Sequence, residues 1–277
     1  MKTIFDKIDK EAVNSLDRVL FGGRVEVVQS PSEAGRAVDY LLSQPILGFD
    51  TETKPQFQRG HSSLVALLQV SSRDVCFLFR LNMIGLPDCL RRLLADEGET
   101  LKVGLSWHDD ICGLRRRGEF TPGTFIEIQQ IAKEMGLRDM SLQKLYANLL
   151  GGRISKAQRL SNWEADHLSE AQKSYAATDA WACIQLYEEM MRLRREGYLI
   201  RVAPVTDPVK PMVFPDLEER AAPPDTTPGM PGTARKSAGR VSASRAARVK
   251  PGAEGEKAGK EKPRRTPRKK KTDKQNE

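Results

Sequence analysis

The composition of the chain changes abruptly near residue 204, and this change limits which part of it can fold. Of the 16 prolines in the 277 residues, 11 lie from Pro204 onward, where Phe214 is the sole aromatic residue. A segment with so little apolar surface cannot offset the entropy lost on ordering it. We therefore expect residues 204–277 to form a disordered Pro/Lys/Arg-rich tail, residues 24–203 to form one folded domain, and residues 1–23 to form an N-terminal helical extension.

Charge is divided between these parts in the same way. Residues 231–277 contain 16 of the 45 basic and 5 of the 37 acidic residues, a net charge of +11 within a chain of net charge +8. The remainder therefore has a net charge of −3. A cationic tail binds polyanions through counterion release, without sequence specificity. The pattern predicts a nucleic-acid tether, and a solubilising tail or a localisation signal remains an alternative.

The cysteines and the apolar runs indicate the compartment. The four cysteines have neither CxxC spacing nor a nearby histidine pair, so we expect small buried hydrophobes rather than a zinc site. Charged residues interrupt the first eleven positions, and no apolar run reaches transmembrane length. We expect an intracellular, cytoplasmic protein without a membrane span.

Alternating strand and helix patterns predict an α/β fold. Three short strands, over residues 45–50, 64–70 and 74–78, have the spacing of a meander. Two capping-box patterns begin helices at Ser30 and Ser169. Helices then dominate the second half of the chain. The sequence predicts a mixed sheet of five or six strands with helices covering it.

Two acidic residues lie close together on one predicted strand. Asp50 and Glu52 are two positions apart, so their side chains point to the same face. Two carboxylates held side by side repel each other, and a cation is the natural remedy. This spacing is compatible with a metal site, but exposure of both acids at a strand end is common and is the more frequent explanation of such a pair.

A second pair lies in the long helix that begins near Ser169. Tyr175 and Asp179 are one turn apart and share a helix face. Aspartate has a poor propensity for the middle of a helix, and metal coordination is one reason to keep it there. The alternative is a core tyrosine beside a solvated acid.

The third candidate is either Asp109 or Asp110, where a strand gives way to a helix. One of the two acids can serve as the helix N-cap and the other as a ligand. Helical spacing separates their directions by roughly 100°. The spacing alone does not choose between them, and His108 beside them is more often a surface residue than a ligand.

Together these motifs resemble the DEDD superfamily of 3′–5′ exonucleases, in the branch with tyrosine in the third motif. Residues 48–53 (GFDTET), 103–114 and 175–180 (YAATDA) are similar to its three motifs. Residues 160–163 (LSNW) and 168–173 (LSEAQK) resemble ribonuclease D and the exonuclease domain of the Werner syndrome helicase. The resemblance covers about residues 24–200 and implies a ribonuclease H-like fold.

The family pattern also distinguishes the two adjacent acids. Its second motif places the acid six residues after a glycine and four before an apolar residue. Counting from Gly104 to Leu114 selects Asp110 over Asp109.

The resemblance implies two-metal hydrolysis that releases nucleoside 5′-monophosphates from a nucleic-acid 3′ end. Asp50 would bridge two cations, Glu52 and Asp179 would complete the first site, and Asp110 would hold the second. Tyr175 would orient the attacking water. Because every ligand is a hard oxygen, we expect Mg²⁺ or Mn²⁺. DNA is the expected polymer; RNA trimming of the ribonuclease D kind and an inactive nucleic-acid-binding scaffold are the alternatives.

Nucleic-acid contacts are expected around the carboxylates. Thr51 and Thr53 flank them and can bind the terminal sugar or phosphate. Trp163 can stack on the frayed end, or can be buried between helices. Residues 151–156 read as a basic loop suited to a phosphate path. The sequence gives no indication of protein partners.

Overall fold

The computed structural model describes residues 1–56, 63–98 and 100–202. The strands are β1 (Lys2–Phe5), β2 (Arg24–Val28), β3 (Ile46–Thr53), β4 (Val65–Ser71), β5 (Val75–Arg80), β6 (Leu101–Gly104), β7 (Ile126–Glu127) and β8 (Tyr198–Arg201). The helices are α1 (Lys10–Asn14), α2 (Pro31–Leu41), α3 (Leu81–Ile84), α4 (Asp88–Ala95), α5 (Trp107–Arg115), α6 (Ile128–Glu134), α7 (Leu142–Leu150) and α8 (Glu170–Glu196). The predicted tail, 204–277, lies outside the described residues.

A six-stranded mixed sheet occupies the centre of the fold, in the order β2-β5-β4-β3-β6-β7. Strands β3, β4 and β5 pair antiparallel as the predicted meander. The β2–β5, β3–β6 and β6–β7 pairs are parallel. The predicted α/β class and strand number are confirmed.

Helices cover both faces of this sheet because its strands alternate apolar side chains between two cores. One core joins Phe49 and Leu68 to the apolar faces of α2 and α4. The other face of the sheet packs against α8, which contacts it through alanines such as Ala177 and Ala180. Helices α6 and α7 pack beside α8. The long helix therefore lies directly on the sheet, where its side chains reach those of β3.

Both predicted capping boxes are present. The Ser30 side chain accepts from the Glu33 backbone, and the Ser169 side chain accepts from that of Gln172. The predicted burial of the cysteines holds for Cys76 and Cys183 but is wrong for Cys112, which is exposed. Across the described ranges, no helix combines the length and the apolarity that crossing a bilayer requires.

The N-terminal segment differs from the helical extension that the sequence suggests. Only Lys10–Asn14 is α-helical, and Lys2–Phe5 is a strand that pairs in parallel with Tyr198–Arg201 in a separate two-stranded sheet. The strand partner lies almost two hundred residues away, so no local pattern reveals it. The segment is held further by a hydrogen bond from the Ile8 backbone to the Asp139 side chain at 2.7 Å.

Candidate active site

The close approach of α8 to β3 brings distant acids together. A Cβ atom added to Gly48 would lie 2.0 Å from the Ala180 carbonyl oxygen, so the helix backbone rests on this glycine. Asp50 and Glu52 follow Gly48 on the strand, and Asp179 precedes Ala180 on the helix. The contact therefore places the Asp179 side chain beside the two strand carboxylates.

Three carboxylates form a compact cluster. Ligand oxygens of Asp50, Glu52 and Asp179 lie within 4.8 Å of one another. Glu52 is 9% exposed and Asp179 is 3% exposed. One carboxylate oxygen of Asp179, Oδ1, is buried and has no hydrogen-bond partner among the described residues. Carboxylate oxygens held this close, one of them buried without a donor, are suited to a cation.

Burial and mutual repulsion change the acidity of these groups. Burial, and then the charge of Asp179, raises the pKa of Asp50 well above its usual value. Burial, and then Asp50, raises the pKa of Glu52 to about 10. Burial raises the pKa of Asp179 to about 7, although hydrogen bonding from the Tyr175 hydroxyl counteracts part of the shift. Without cations, these carboxyls therefore hold their protons to a higher pH than exposed carboxyls do.

Asp110 adjoins this cluster from α5. The Thr51 hydroxyl donates a hydrogen bond to the Asp110 carboxylate. Burial, and then the charge of Asp50, raises the pKa of Asp110 to about 8. Its neighbour Asp109 is exposed. The helix thus turns Asp110 toward β3, although Asp110 lies outside the tight group of three oxygens.

The start of α5 is held by a residue that sequence reasoning missed. Glu127 accepts backbone hydrogen bonds from Ser106 at 3.0 Å and from Trp107 at 2.8 Å. Ser106 has a φ of 61°, a conformation that is costly for residues other than glycine. These bonds occupy free N–H groups at the helix start and fix the direction of Asp110. Glu127 follows Trp107 by 20 residues in the chain, so the sequence around α5 gives little indication that this glutamate caps the helix.

Tyr175 borders the same site, one turn before Asp179. Its side chain is 6% exposed and lines the cavity above the carboxylates. Burial, and then the charges of Asp179 and Glu52, raise the pKa of the Tyr175 hydroxyl above its usual value. The phenol therefore keeps its proton at neutral pH, and the O–H that it donates to Asp179 lies beside the cavity.

The three residues predicted to contact nucleic acid differ in their exposure to solvent. Trp163 is fully buried and packs against Tyr175, with 6.0 Å between ring centroids. The Trp163 ring contacts the tyrosine ring and exposes no face on which a base can stack. The stacking alternative is therefore wrong, and the buried alternative holds. The Thr51 hydroxyl is donated to Asp110, whereas Thr53 is exposed at the end of β3.

The cavity above the carboxylates has a volume of about 510 Å³ and is lined by acidic and basic side chains. Lys156 and Arg159 are exposed on its rim, and the charge of Arg159 counteracts part of the pKa rise of Glu52. A cavity with carboxylates at its base and cations at its rim can hold metal ions below and phosphates above.

Comparisons with known proteins agree with this site. Residues 25–194 match the family model described as 3′–5′ exonuclease. A ribonuclease D from Acidiphilium cryptum is 42% identical over 180 residues, which are 64% of this chain and 45% of that protein. The bifunctional 3′–5′ exonuclease/ATP-dependent helicase WRN of Mus musculus is 32% identical over 159 residues, which are 55% of this chain and 11% of that protein.

A solved structure has the same fold. The exonuclease domain of Nibbler from Aedes aegypti matches with a TM-score of 0.57 at 19% identity, covering 64% of this chain and 91% of that one. The chain spans less than half of the length of either sequence relative.

Proposed function

On the premise that this chain belongs to the 3′–5′ exonuclease family, we propose that its carboxylate cluster hydrolyses the terminal phosphodiester of a nucleic acid. The family depends on divalent metal ions. The observation that carries the assignment to this site is the group of carboxylate oxygens within 4.8 Å of one another, none of which forms an ion pair with a basic side chain within the described chain.

The residues present fit divalent cations. Asp50, Glu52 and Asp179 would hold one ion, for which the unpartnered Oδ1 of Asp179 is a ready ligand. Asp110, together with Asp50, would hold a second. Oxygen ligands without thiolate or imidazole favour Mg²⁺ or Mn²⁺. When bound, the ions supply a water of lowered pKa and stabilise negative charge on the departing 3′ oxygen.

The protein itself orients the reactants. Tyr175 keeps its proton and would donate a hydrogen bond that orients the attacking water. Thr51 would hold Asp110 in position through its hydroxyl. Lys156 and Arg159 at the rim would bind phosphates of the incoming strand, and exposed Thr53 would contact the terminal nucleotide. The expected products are nucleoside 5′-monophosphates.

Two polymers, DNA and RNA, are candidates for the natural substrate. We propose DNA as the natural substrate, with RNA 3′-end trimming as the alternative, which the 42% identity to a ribonuclease D supports. An inactive scaffold is disfavoured because it has no need for a cluster of uncompensated buried acids, which destabilises a protein that binds no cation.

The organisation of the chain forms a further part of the proposal. Residues 24–203 would be the exonuclease domain, preceded by the segment 1–23. The basic residues of 204–277 would act as an unspecific tether that raises the local concentration of nucleic acid. Replacing the basic run 268–271 with glutamines should weaken binding at low salt and leave the maximal rate of hydrolysis unchanged; unchanged affinity would refute the tether.

One experiment tests the activity. The full chain is incubated with 5′-labelled DNA and RNA oligonucleotides, with Mg²⁺, Mn²⁺ or a chelator. A ladder of shortened products should appear only when Mg²⁺ or Mn²⁺ is present, and the Asp50→Asn variant should not produce it. Tyr175→Phe should lower kcat and leave KM nearly unchanged. A ladder in chelator, or none on either polymer, would contradict the proposal.

A further inference from the structure

A second cavity lies next to the catalytic one and is built partly by the N-terminal segment. It has a volume of about 520 Å³ and lies between α1, α7 and the loop over residues 153–156. Gln143 and Lys156 line both cavities, so the two adjoin each other. We call this second space the N-terminal cavity.

The N-terminal cavity is basic, and most of its charge is uncompensated. Lys10, Arg153 and Lys156 line it, and in the part of the chain that the structure describes none of them forms an ion pair with a carboxylate. Lys144 is the exception, because it pairs with Asp139 at 2.8 Å. Three cations around one space repel each other, and an anion between them would remove that repulsion.

The walls of this cavity are held in place. The Arg153 backbone donates to Asp17 at 2.8 Å and accepts from Val19 at 3.0 Å. Its side-chain Nε donates to the Leu16 carbonyl at 3.2 Å. These hydrogen bonds connect the segment that follows α1 to the loop that borders the catalytic cavity. Lys10 and Arg153 therefore line the same cavity.

We propose that the N-terminal cavity is a subsite for phosphates of the nucleic-acid strand on the 5′ side of the scissile linkage, with Lys10 and Arg153 as its contacts. The proposal rests on the exonuclease function above. A strand whose 3′ end lies over the carboxylates extends out of the catalytic cavity. The adjoining basic space offers its next phosphates cations that have no ion-pair partner within the described residues.

The proposal distinguishes substrates by length. A dinucleotide without a 5′ phosphate has one phosphate, the scissile one, so nothing of its backbone charge can reach the second cavity. A dodecanucleotide has ten further phosphates on the 5′ side. Contacts made at Lys10 should therefore favour the longer strand alone.

The experiment compares the full chain with three variants on TpT and on dodecathymidylate, in Mg²⁺, with a matching pair of RNA substrates. Lys10→Glu should lower the ratio of kcat/KM between the dodecamer and the dinucleotide roughly tenfold and reduce the salt slope of dodecamer binding by about 0.7. Asn14→Lys, which adds a cation to the same wall, should raise the ratio about threefold. Lys133→Glu, an exposed lysine of α6 that lines neither cavity, is the matched control and should change nothing.

An unchanged ratio in Lys10→Glu and Asn14→Lys would overturn the subsite, as would an equal drop in Lys133→Glu. If Lys10→Glu failed to fold, the ratio measured in Asn14→Lys would still test the subsite, because that variant should raise it. Absence of hydrolysis of any substrate by the unsubstituted protein would instead overturn the exonuclease function, and the subsite with it.

Discussion

Two groups of buried acids in this molecule have opposite surroundings. Near the N-terminal segment, Asp6 pairs with Arg138 at 2.5 Å, and Asp139 pairs with Lys144 at 2.8 Å while accepting from the Ile8 backbone. In the catalytic cavity, the three clustered carboxylates face each other, and Asp179 keeps an oxygen without a partner in the described structure.

The pKa directions follow from this difference. Hydrogen bonds from Arg192 lower the pKa of Glu189, a further buried acid with cationic partners that include Lys2 at 2.6 Å. Burial raises the pKa values of the three clustered carboxyls, and neighbouring carboxylates raise those of Asp50 and Glu52 further. The first group of acids is compensated within the fold, whereas the second would be stabilised by a bound cation. A buried acid becomes a candidate for catalysis when its partners are missing, rather than because it is buried.

The largest expected effect separates the two groups by activity. Asp179→Asn removes a proposed metal ligand and should lower kcat by at least about 10³-fold, the equivalent of ~4 kcal/mol. Asp139→Asn, the same change in the paired group, should keep kcat within a factor of about three. Steady-state hydrolysis in saturating Mn²⁺ measures both. Comparable losses would mean that the two groups do not differ in role.

The next effect tests what holds the catalytic acids together. Gly48→Ala places a methyl group against the Ala180 carbonyl and should lower the free energy of unfolding by about 3 kcal/mol, while reducing activity. Gly35→Ala is the matched control, because a Cβ there meets open space in helix α2, and it should stabilise slightly. Thermal and urea unfolding of both variants report the values; a neutral Gly48→Ala would refute the close contact.

A smaller effect concerns stability in the paired group. Asp139→Ala leaves the Ile8 N–H and Lys144 without their partner and should cost roughly 2 kcal/mol in urea unfolding. Asp179→Asn in chelator should cost nothing or stabilise, since it removes a repelling charge. Destabilisation by both changes would remove the contrast between the groups.

The smallest effect is the dependence of stability on pH. The pKa of Asp179 rises from 3.8 to about 7 on folding, so the folded protein binds more protons than the unfolded chain between these values. Its contribution to stability is complete below about pH 4 and is lost as the pH rises through about 7. An isolated group with this rise would change the free energy of unfolding by about 4 kcal/mol. Because Asp50 and Glu52 share protons with Asp179 and still titrate when it is replaced, the difference should be smaller. In chelator, the unfolding free energy should fall by roughly 1 kcal/mol more over this range in the unsubstituted protein than in Asp179→Asn.

Divalent cations should reverse that trend. They bind the ionised carboxylates, so adding Mn²⁺ at pH 7 should release protons and raise the melting temperature, with a larger rise at pH 7.5 than at pH 5. Calorimetry in two buffers of different ionisation enthalpy measures the protons released. A stability profile that is the same with and without Mn²⁺ would contradict the metal site.

Short-range patterns in the sequence predicted much of this molecule. Asp50 with Glu52, and Tyr175 with Asp179, share faces because strand and helix periodicity fixes side-chain direction. The capping boxes fix where α2 and α8 begin. These features depend on neighbours within four residues, so a single sequence is sufficient to find them.

Features that depend on distant partners were missed. The sequence left Trp163 open between stacking and burial, because its burial depends on the packing of other elements around it; the structure shows burial. Glu127 caps a helix that begins twenty residues earlier in the chain, and strand β1 pairs with residues near position 200. Helical spacing alone did not separate Asp109 from Asp110, whereas the count within the second motif selected Asp110. The hydrogen bond from Thr51 shows that Asp110 faces β3.

The pairing of β1 with β8 has a consequence for synthesis of the protein. Chains grow from the N-terminus at about 5–20 residues per second, so Lys2–Phe5 leaves the ribosome well before Tyr198–Arg201 exists. Strand β1 therefore remains unpaired for roughly ten seconds or more after its synthesis, while the central sheet can already form. We expect the N-terminal segment to dock last, so that a nascent chain assembles its carboxylates before the basic wall beside them.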